Sequence, residues 1–187
     1  MANPITEYEE QYASILGDEA LSGMVQGRDK ILLFRVLGDT DPAKKLAFQT
    51  SHTFTFSRER DTIVTKDGNI LSDNGLTTEV PIEAIQKRGD RLFGMLTIAA
   101  IKGLKLEVWE VSVDAGLKNE EGEYPAIYTQ GFLDSWELPA GVEDESTVSS
   151  TLLVEGEPQF GYTPLSEEQE TAVQYAFRKT TEVPEQA

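Results

Sequence analysis

Few residues in this chain are of types that do chemistry, and their spacing argues against it. The sequence holds one histidine and no cysteine, which removes disulfides, thiolate metal sites and a cysteine nucleophile. His52 lies between threonines in an alternating stretch, with the parity of Phe54 and Phe56. That setting predicts a half-buried, hydrogen-bonded structural residue rather than a catalyst. Acid pairs such as Asp67 with Asp73, or Glu143 with Asp144 and Glu145, are of the type that serves hydrolysis or binds calcium. The run DGNILSDNG at 67–75 loosely resembles a calcium loop, yet it lacks the alternating oxygen ligands and the closing glutamate. Neither a Gly-x-Ser-x-Gly elbow nor a glycine-rich phosphate loop occurs. The expectation is a protein with no catalytic residue, no cofactor and no metal.

The whole chain bounds the reading further. Its 187 residues suit one domain with extended ends, and 39% hydrophobic residues are enough for a core. No apolar run is long enough to span a bilayer, and the start MANPITEYEEQ lacks the basic-then-apolar pattern of a signal peptide; no membrane partner is expected. Thirty-three acidic residues stand against 16 basic ones, a net charge of -17. A surface of that sign repels the phosphates of nucleic acid.

The elements follow from periodicity. Residues 1–28 form an N-terminal arm in which Tyr8, Tyr12, Ile15 and Leu16 have the spacing of a short amphipathic helix. KILLFRVL at 30–37 is a nearly continuous apolar run of strand length. From Lys44 the chain alternates: Leu46, Phe48, Phe54 and Phe56 share one parity, while Gln49, Ser51, Thr53 and Thr55 fill the other, which predicts one long half-buried strand. Charged and turn-forming residues then predict a long polar loop over about 58–75. Alternation resumes at Leu76–Ile85, where Pro81 places the strand at an edge or breaks it.

Asp90 is placed to cap a helix over Arg91–Lys102, with Gly103 as its left-handed stop. Its largely apolar sequence predicts burial against a sheet. Strands are expected at 104–113 and 124–138, the latter with Tyr128, Phe132 and Trp136 on one face. Thr147–Val154 alternates again, and the turn 155–158 predicts a hairpin with Gln159–Tyr162. Ser166 and Gln169 form a capping box that opens a last helix, with Ala172, Val173, Ala176 and Phe177 as its stripe. About seven strands and no βαβ rhythm give a mainly β fold, a sandwich or barrel with flanking helices. The domain is expected over 29–180, with a C-terminal tail at 181–187.

The order KLAFQTSHTFTFSRERDTIVTKDG, ILSDNGLTTEVPIEAI, a short helix, LKLEVWEV and the late VSSTLLVEGEPQFGYTPLSEEQ resembles the tail tube (major tail) protein family of long non-contractile-tailed phages. The resemblance runs over roughly 30–177. It implies a structural virion protein rather than an enzyme: a β-sandwich subunit, six to a ring, with rings stacked into the tail tube through which the genome is ejected. It also implies that the chain is made in the host cytoplasm and ends in the tail of the virion. Its partners are then other copies of itself, a tape-measure protein, and tail terminator and baseplate proteins, with double-stranded DNA passing the lumen unbound. Many relatives in that family carry an immunoglobulin-like display domain at the C-terminus; with so few residues after Phe177, none is expected here.

Within that frame the loop at 58–75 becomes an arm for the next ring. Arg58, Arg60, Asp61, Lys66, Asp67 and Asp73 become candidate contacts between rings or subunits. The basic clusters Lys44-Lys45, Arg58-Arg60 and Lys87-Arg88-Arg91 are expected where subunits meet acids. Three rival readings remain at this stage. They are the tube protein of a bacterial contractile secretion system, a monomeric β-sandwich binding module presenting Trp109 or Trp136, and a small hydrolase using acid pairs.

Overall fold

The structure, a computed structural model, describes residues 5–16, 24–142, 145–166 and 169–170. In chain order its strands are β1 (Lys30–Val36), β2 (Lys44–Lys45), β3 (Gln49–His52), β4 (Thr55–Thr65), β5 (Gly68–Ile85), β6 (Leu106–Ser112), β7 (Tyr124–Glu137), β8 (Thr147–Val154) and β9 (Gln159–Thr163). The helices are α1 (Ala13–Leu16) and α2 (Arg91–Lys102). All strand pairs are antiparallel and join in one sheet, in the order β2-β1-β6-β7-β8-β5-β3, with β4 also on β5 and β9 also on β7.

Two apolar clusters flank this sheet. Successive side chains of β1 point to opposite faces, so Leu32 and Phe34 join one cluster and Ile31 and Leu33 the other. That explains why KILLFRV reads as a continuous apolar run: both of its faces are covered. The larger cluster includes Val80, Ile82 and Ala84 of β5, Val148 and Leu152 of β8, and Leu92, Leu96 and Ala99 of α2.

The expected N-cap and stop of α2 are both present. Asp90 Oδ1 accepts hydrogen bonds from the N–H groups of Leu92 and Phe93, and Gly103 closes the helix at φ 63°. Asp90 Oδ2 also accepts from the Ala47 N–H at 3.1 Å. One carboxylate thus caps the helix and anchors the segment between β2 and β3.

That segment corrects the single long strand expected from Lys44. The chain turns sharply at Phe48, a non-glycine residue with φ 52°, and again after His52, so the stretch divides into β2, β3 and β4. Leu46 is buried but Phe48 and Phe56 are exposed, which the shared parity did not anticipate. β2 pairs with β1, and β3 pairs with β5 at the other end of the sheet. The kinked segment therefore draws the two ends of the sheet together.

Other departures also have local causes. The expected polar loop at 58–75 is a β-hairpin, built by β4 and the first half of β5. β5 does not break at Pro81; its neighbour does. Pro81 O accepts from the Thr53 N–H, and in a strand a residue's N and O point to the same side. The missing donor therefore faces the gap between β3 and β4. β9 does not form a hairpin with β8. It pairs with β7 over Tyr124–Tyr128, while β8 pairs with β7 over Gly131–Glu137, so the two lie end to end along one edge.

A bulge at Asp134 shifts the register of β7 and so reverses its parity. Trp136 packs on the α2 cluster, whereas Tyr128 stacks with Trp109. The single bulky face expected of Tyr128, Phe132 and Trp136 does not exist. Helix α2 is buried on one side only, since Ile98 and Ile101 are 56% and 73% exposed. The N-terminal arm holds one helical turn at Thr6–Tyr8 and the short α1, and Tyr12 rests on Phe160 at 5.0 Å between ring centroids. The Ser166–Gln169 box forms as expected; the apolar stripe of the last helix and the pair Glu143–Asp144 lie outside the described residues.

Candidate assembly surface

The six candidate contact residues all fall on the hairpin arm. Its strands pair from Thr55↔Glu79 to Thr65↔Gly68, with one register shift between Arg58 and Arg60, and Lys66 and Asp67 form the two-residue turn. Two turn-like dipeptides in the sequence have different fates here. Asp67-Gly68 closes the tip, where Thr65 Oγ1 donates to Gly68 O at 2.6 Å. Asn74-Gly75 is a bulge: two residues oppose Glu59 alone, and Gly75 takes φ 97°, a conformation that glycine adopts without penalty.

Charge pairs brace the arm internally. Arg58 donates to Asp73 at 2.8 Å and lies 3.9 Å from Glu157. The Asn74 amide donates to Asp61 at 3.0 Å. The Gly75 N–H and then the Arg58 guanidinium hold the Asp73 carboxyl below its ordinary value. Arg58, Asp61 and Asp73 are therefore joined into one network with Asn74 and Gly75. Lys66 and Asp67 stand apart at the tip, and Arg60 sits opposite Asp73 in the ladder.

Every residue of β4 is exposed, including apolar ones. Ile63 pairs with Ile70 on one face, while Val64, opposite Asn69, and Leu71, opposite Thr62, share the other; these four apolar residues are 48–78% exposed. A two-stranded ribbon with apolar side chains on both faces has no core of its own, and a lone hairpin is marginal in water. Such an arm presents apolar surface on both faces with nothing of its own subunit to cover it.

Below the arm lies a polar cluster that motif reading missed. Glu110 of β6 accepts from Lys30 of β1 at 2.6 Å and from His52 of β3 at 2.9 Å. Burial pushes the Glu110 carboxyl up, and the hydrogen bonds from His52 and Lys30 outweigh it and leave it below the ordinary value. On the opposite face of β6, Glu107 accepts from Arg35 at 2.7 Å and from the Tyr128 hydroxyl at 2.8 Å. Its burial is likewise outweighed by those two bonds.

These pairs tie β1, β3, β6 and β7 across the sheet. The signal for them was present: two glutamates inside the apolar run LEVWEVS require basic partners, and Lys30 and Arg35 flank the facing strand. A cleft of about 710 Å³ opens beside the cluster, lined by Lys30, Lys45, His52, Phe54, Phe56 and Glu110. Lys45 lies in it half-covered, and burial lowers its pKa from the usual 10.5.

His52 is thus the structural residue expected. Neither tryptophan offers a binding platform: Trp109 is sandwiched between Tyr128 and the Arg35 guanidinium, and Trp136 packs on Phe93.

Comparison with known proteins agrees with this arrangement. The sequence model described as "Phage tail tube protein" matches residues 24–160. A protein of Staphylococcus phage phiMR25 named as a tail protein is 27% identical over 165 residues, 86% of each chain. The tail tube protein gp17.1* of Bacillus phage SPP1 is 28% identical over 139 residues, 73% of this chain and 52% of that protein. The solved SPP1 tail tube superposes with a TM-score of 0.67 at 23% identity, covering 88% of this chain and 96% of that one. The tail of an empty gene transfer agent particle, refined with C6 symmetry, follows with a TM-score of 0.56 at 12% identity over 74% of this chain and 98% of its own. These likenesses in fold accompany a family match that spans well over half of the sequence, and the chain belongs to the phage tail tube protein family, whose members are structural components of the virion tail and not enzymes.

Proposed function

We propose that this chain polymerises as six-subunit rings that stack into a tail tube, and that the β4–β5 hairpin is the arm joining one ring to the next. The observation that carries the reading is the arm itself, with its apolar residues exposed on both faces. Those side chains gain shelter only between neighbouring subunits. A tube whose tail was refined in C6 symmetry shares the fold, which supports the six-fold order. Arg58, Arg60, Asp61, Lys66, Asp67 and Asp73 then lie at or beside the contact between rings. The finished tube is a conduit for the genome on its way into the host cell, and its partners are tail terminator and baseplate proteins and a tape-measure protein.

Electron microscopy of the purified full chain and of a variant lacking Thr62–Ser72 tests this. The full chain should form tubes, and the deletion should leave a folded subunit that forms none. Tubes built as well by the deletion variant would remove the arm from assembly.

A further inference from the structure

We infer that the tip of the arm docks, in a second copy of the chain, into the groove along the outer side of α2. The inference rests on the arm serving to join rings, and it names the surface that receives it. The groove has a volume of about 480 Å³ and is lined by Asp39, Asp41, Arg91, Met95, Ile98 and Leu104. Its apolar side is well exposed: Ile98 is 56% and Leu104 37% accessible, with Ile101 at 73% next along the helix. The arm offers the matching element, an apolar face on which Val64 and Leu71 are 78% and 66% exposed.

Three observations select a second copy as the occupant. First, the two surfaces lie at opposite ends of one strand. β5 starts at the tip with Gly68 and ends at Ile85, five residues before the Asp90 cap of α2. Helix α2 packs on Val80, Ile82 and Ala84 of β5, and Val80 stands about 40 Å along the strand from Gly68 at the rise of an extended strand, so one subunit does not fill its own groove.

Second, the charges are complementary. Lys66 at the tip and Asp39 at the groove each make no salt bridge among the described residues, and docking sets them against each other. Asp67 beside Lys66 meets Arg91 in the same way. Third, the contact joins two different patches of the same chain. A head-to-tail contact of that kind either closes into a ring or, where its rotation does not close, propagates into a filament, and stacking of rings requires the second outcome.

The absence of native cysteine makes the test direct. The doubly substituted full chain Leu71→Cys/Ile98→Cys is assembled and treated with a short thiol cross-linker. A ladder of covalent multimers on a denaturing gel is expected, because each subunit links once upward and once downward. A mixture of the two singly substituted chains should stop at dimers, and Ile70→Cys/Ile98→Cys, on the other face of the arm, should give no ladder.

Separately, Ile98→Asp should abolish tubes while keeping the melting temperature within about 2 °C, since the side chain is exposed. Tubes that form with no Leu71→Cys to Ile98→Cys linkage, or that tolerate Ile98→Asp, overturn the groove as receptor and leave the arm's role intact. A full chain that never leaves the single-subunit state, or that assembles without its arm, overturns the arm's role as well.

Discussion

Gln49 and Leu32 exchange two hydrogen bonds although they lie on strands that are not neighbours in the sheet. The Leu32 N–H donates to Gln49 Oε1 at 3.0 Å, and Gln49 Nε2 donates to Leu32 O at 2.7 Å. The side-chain amide supplies the rung that a backbone would supply in a ladder. It bridges β1, near one end of the sheet, to β3 at the other, and so fastens the seam drawn together by the kink at Phe48. Leu32 is fully buried, so its backbone groups have no water to turn to. Gln49→Leu leaves a buried donor and acceptor without partners, at a cost of about 1–3 kcal/mol. Chemical denaturation should show that loss, while Thr50→Ala, one residue on and exposed, should change little.

The same seam makes the fold sensitive to acid through Glu110. Its carboxyl is held below the ordinary 4.5, burial being outweighed by hydrogen bonds from His52 and Lys30. A group whose pKa is depressed on folding contributes stability that is complete above the unfolded value and is lost as pH falls through the folded one. The loss therefore begins below about pH 4.5 and deepens with acidification. Glu110→Gln should be less stable than the parent at neutral pH by about 1–3 kcal/mol. The cost stays modest because Lys30 is partly exposed and can turn to water. In the acid range the parent should lose stability more steeply than the variant. Parallel slopes in melting temperature from pH 6 to pH 3 would show that Glu110 carries none of the effect.

Local rules recovered the elements whose causes are local. The Asp90 cap, the Gly103 stop, the Ser166–Gln169 box and the strand Thr147–Val154 each depend on residues within a few positions, and each sits where expected. What was not legible depends on partners distant in sequence or on the absence of a core. The arm reads as a loop because hydrophobic alternation reports a buried face, and this hairpin has none. β9 reads as a hairpin with β8 because nothing in its own five residues reveals that β7 is long enough to take both. The reversal of Trp136 follows from one extra residue at Asp134, whose presence shows only against β8. The six charged candidate residues all fall on this hairpin, while the exposed apolar residues between them carried no signal in the alternation.

Helix α2 has one buried and one exposed face, and the two should answer a charge in opposite ways. Leu96 is 1% exposed and packs in the larger cluster. Leu96→Asp buries an unpaired carboxyl at a cost of several kcal/mol, comparable to the stability of a whole domain. Circular dichroism should find that variant unfolded or aggregated. Ile101→Asp, on the exposed side, should give a spectrum and melting temperature like the parent's. A folded Leu96→Asp protein would mean that the inner face of α2 is not part of the core.

On the proposal that the chain builds a conduit for the genome, its acidic surplus bears on how DNA passes. Among the described residues seven basic ones, Arg28, Lys30, Arg35, Lys44, Arg58, Lys105 and Lys118, are already ion-paired with acids of their own subunit. Cations held in this way are poorly placed to displace the counterions of a duplex, and that displacement is the main source of sequence-independent affinity for DNA. Each further subunit adds another net charge of -17 and raises the repulsion felt by a polyanion. In a closed conduit the consequence is mechanical: DNA that is repelled from the wall on all sides can slide, whereas a basic wall would grip one phosphate for roughly every 1.7 Å of axis that it touched. Assembled tubes sedimented with linear duplex DNA at low ionic strength should leave the DNA in the supernatant. Salt added to the mixture should change nothing, because there is no attraction for it to screen. Capture of the duplex at low salt, released as salt rises, would show that cations line the path and that the acidity serves the outside of the tube alone.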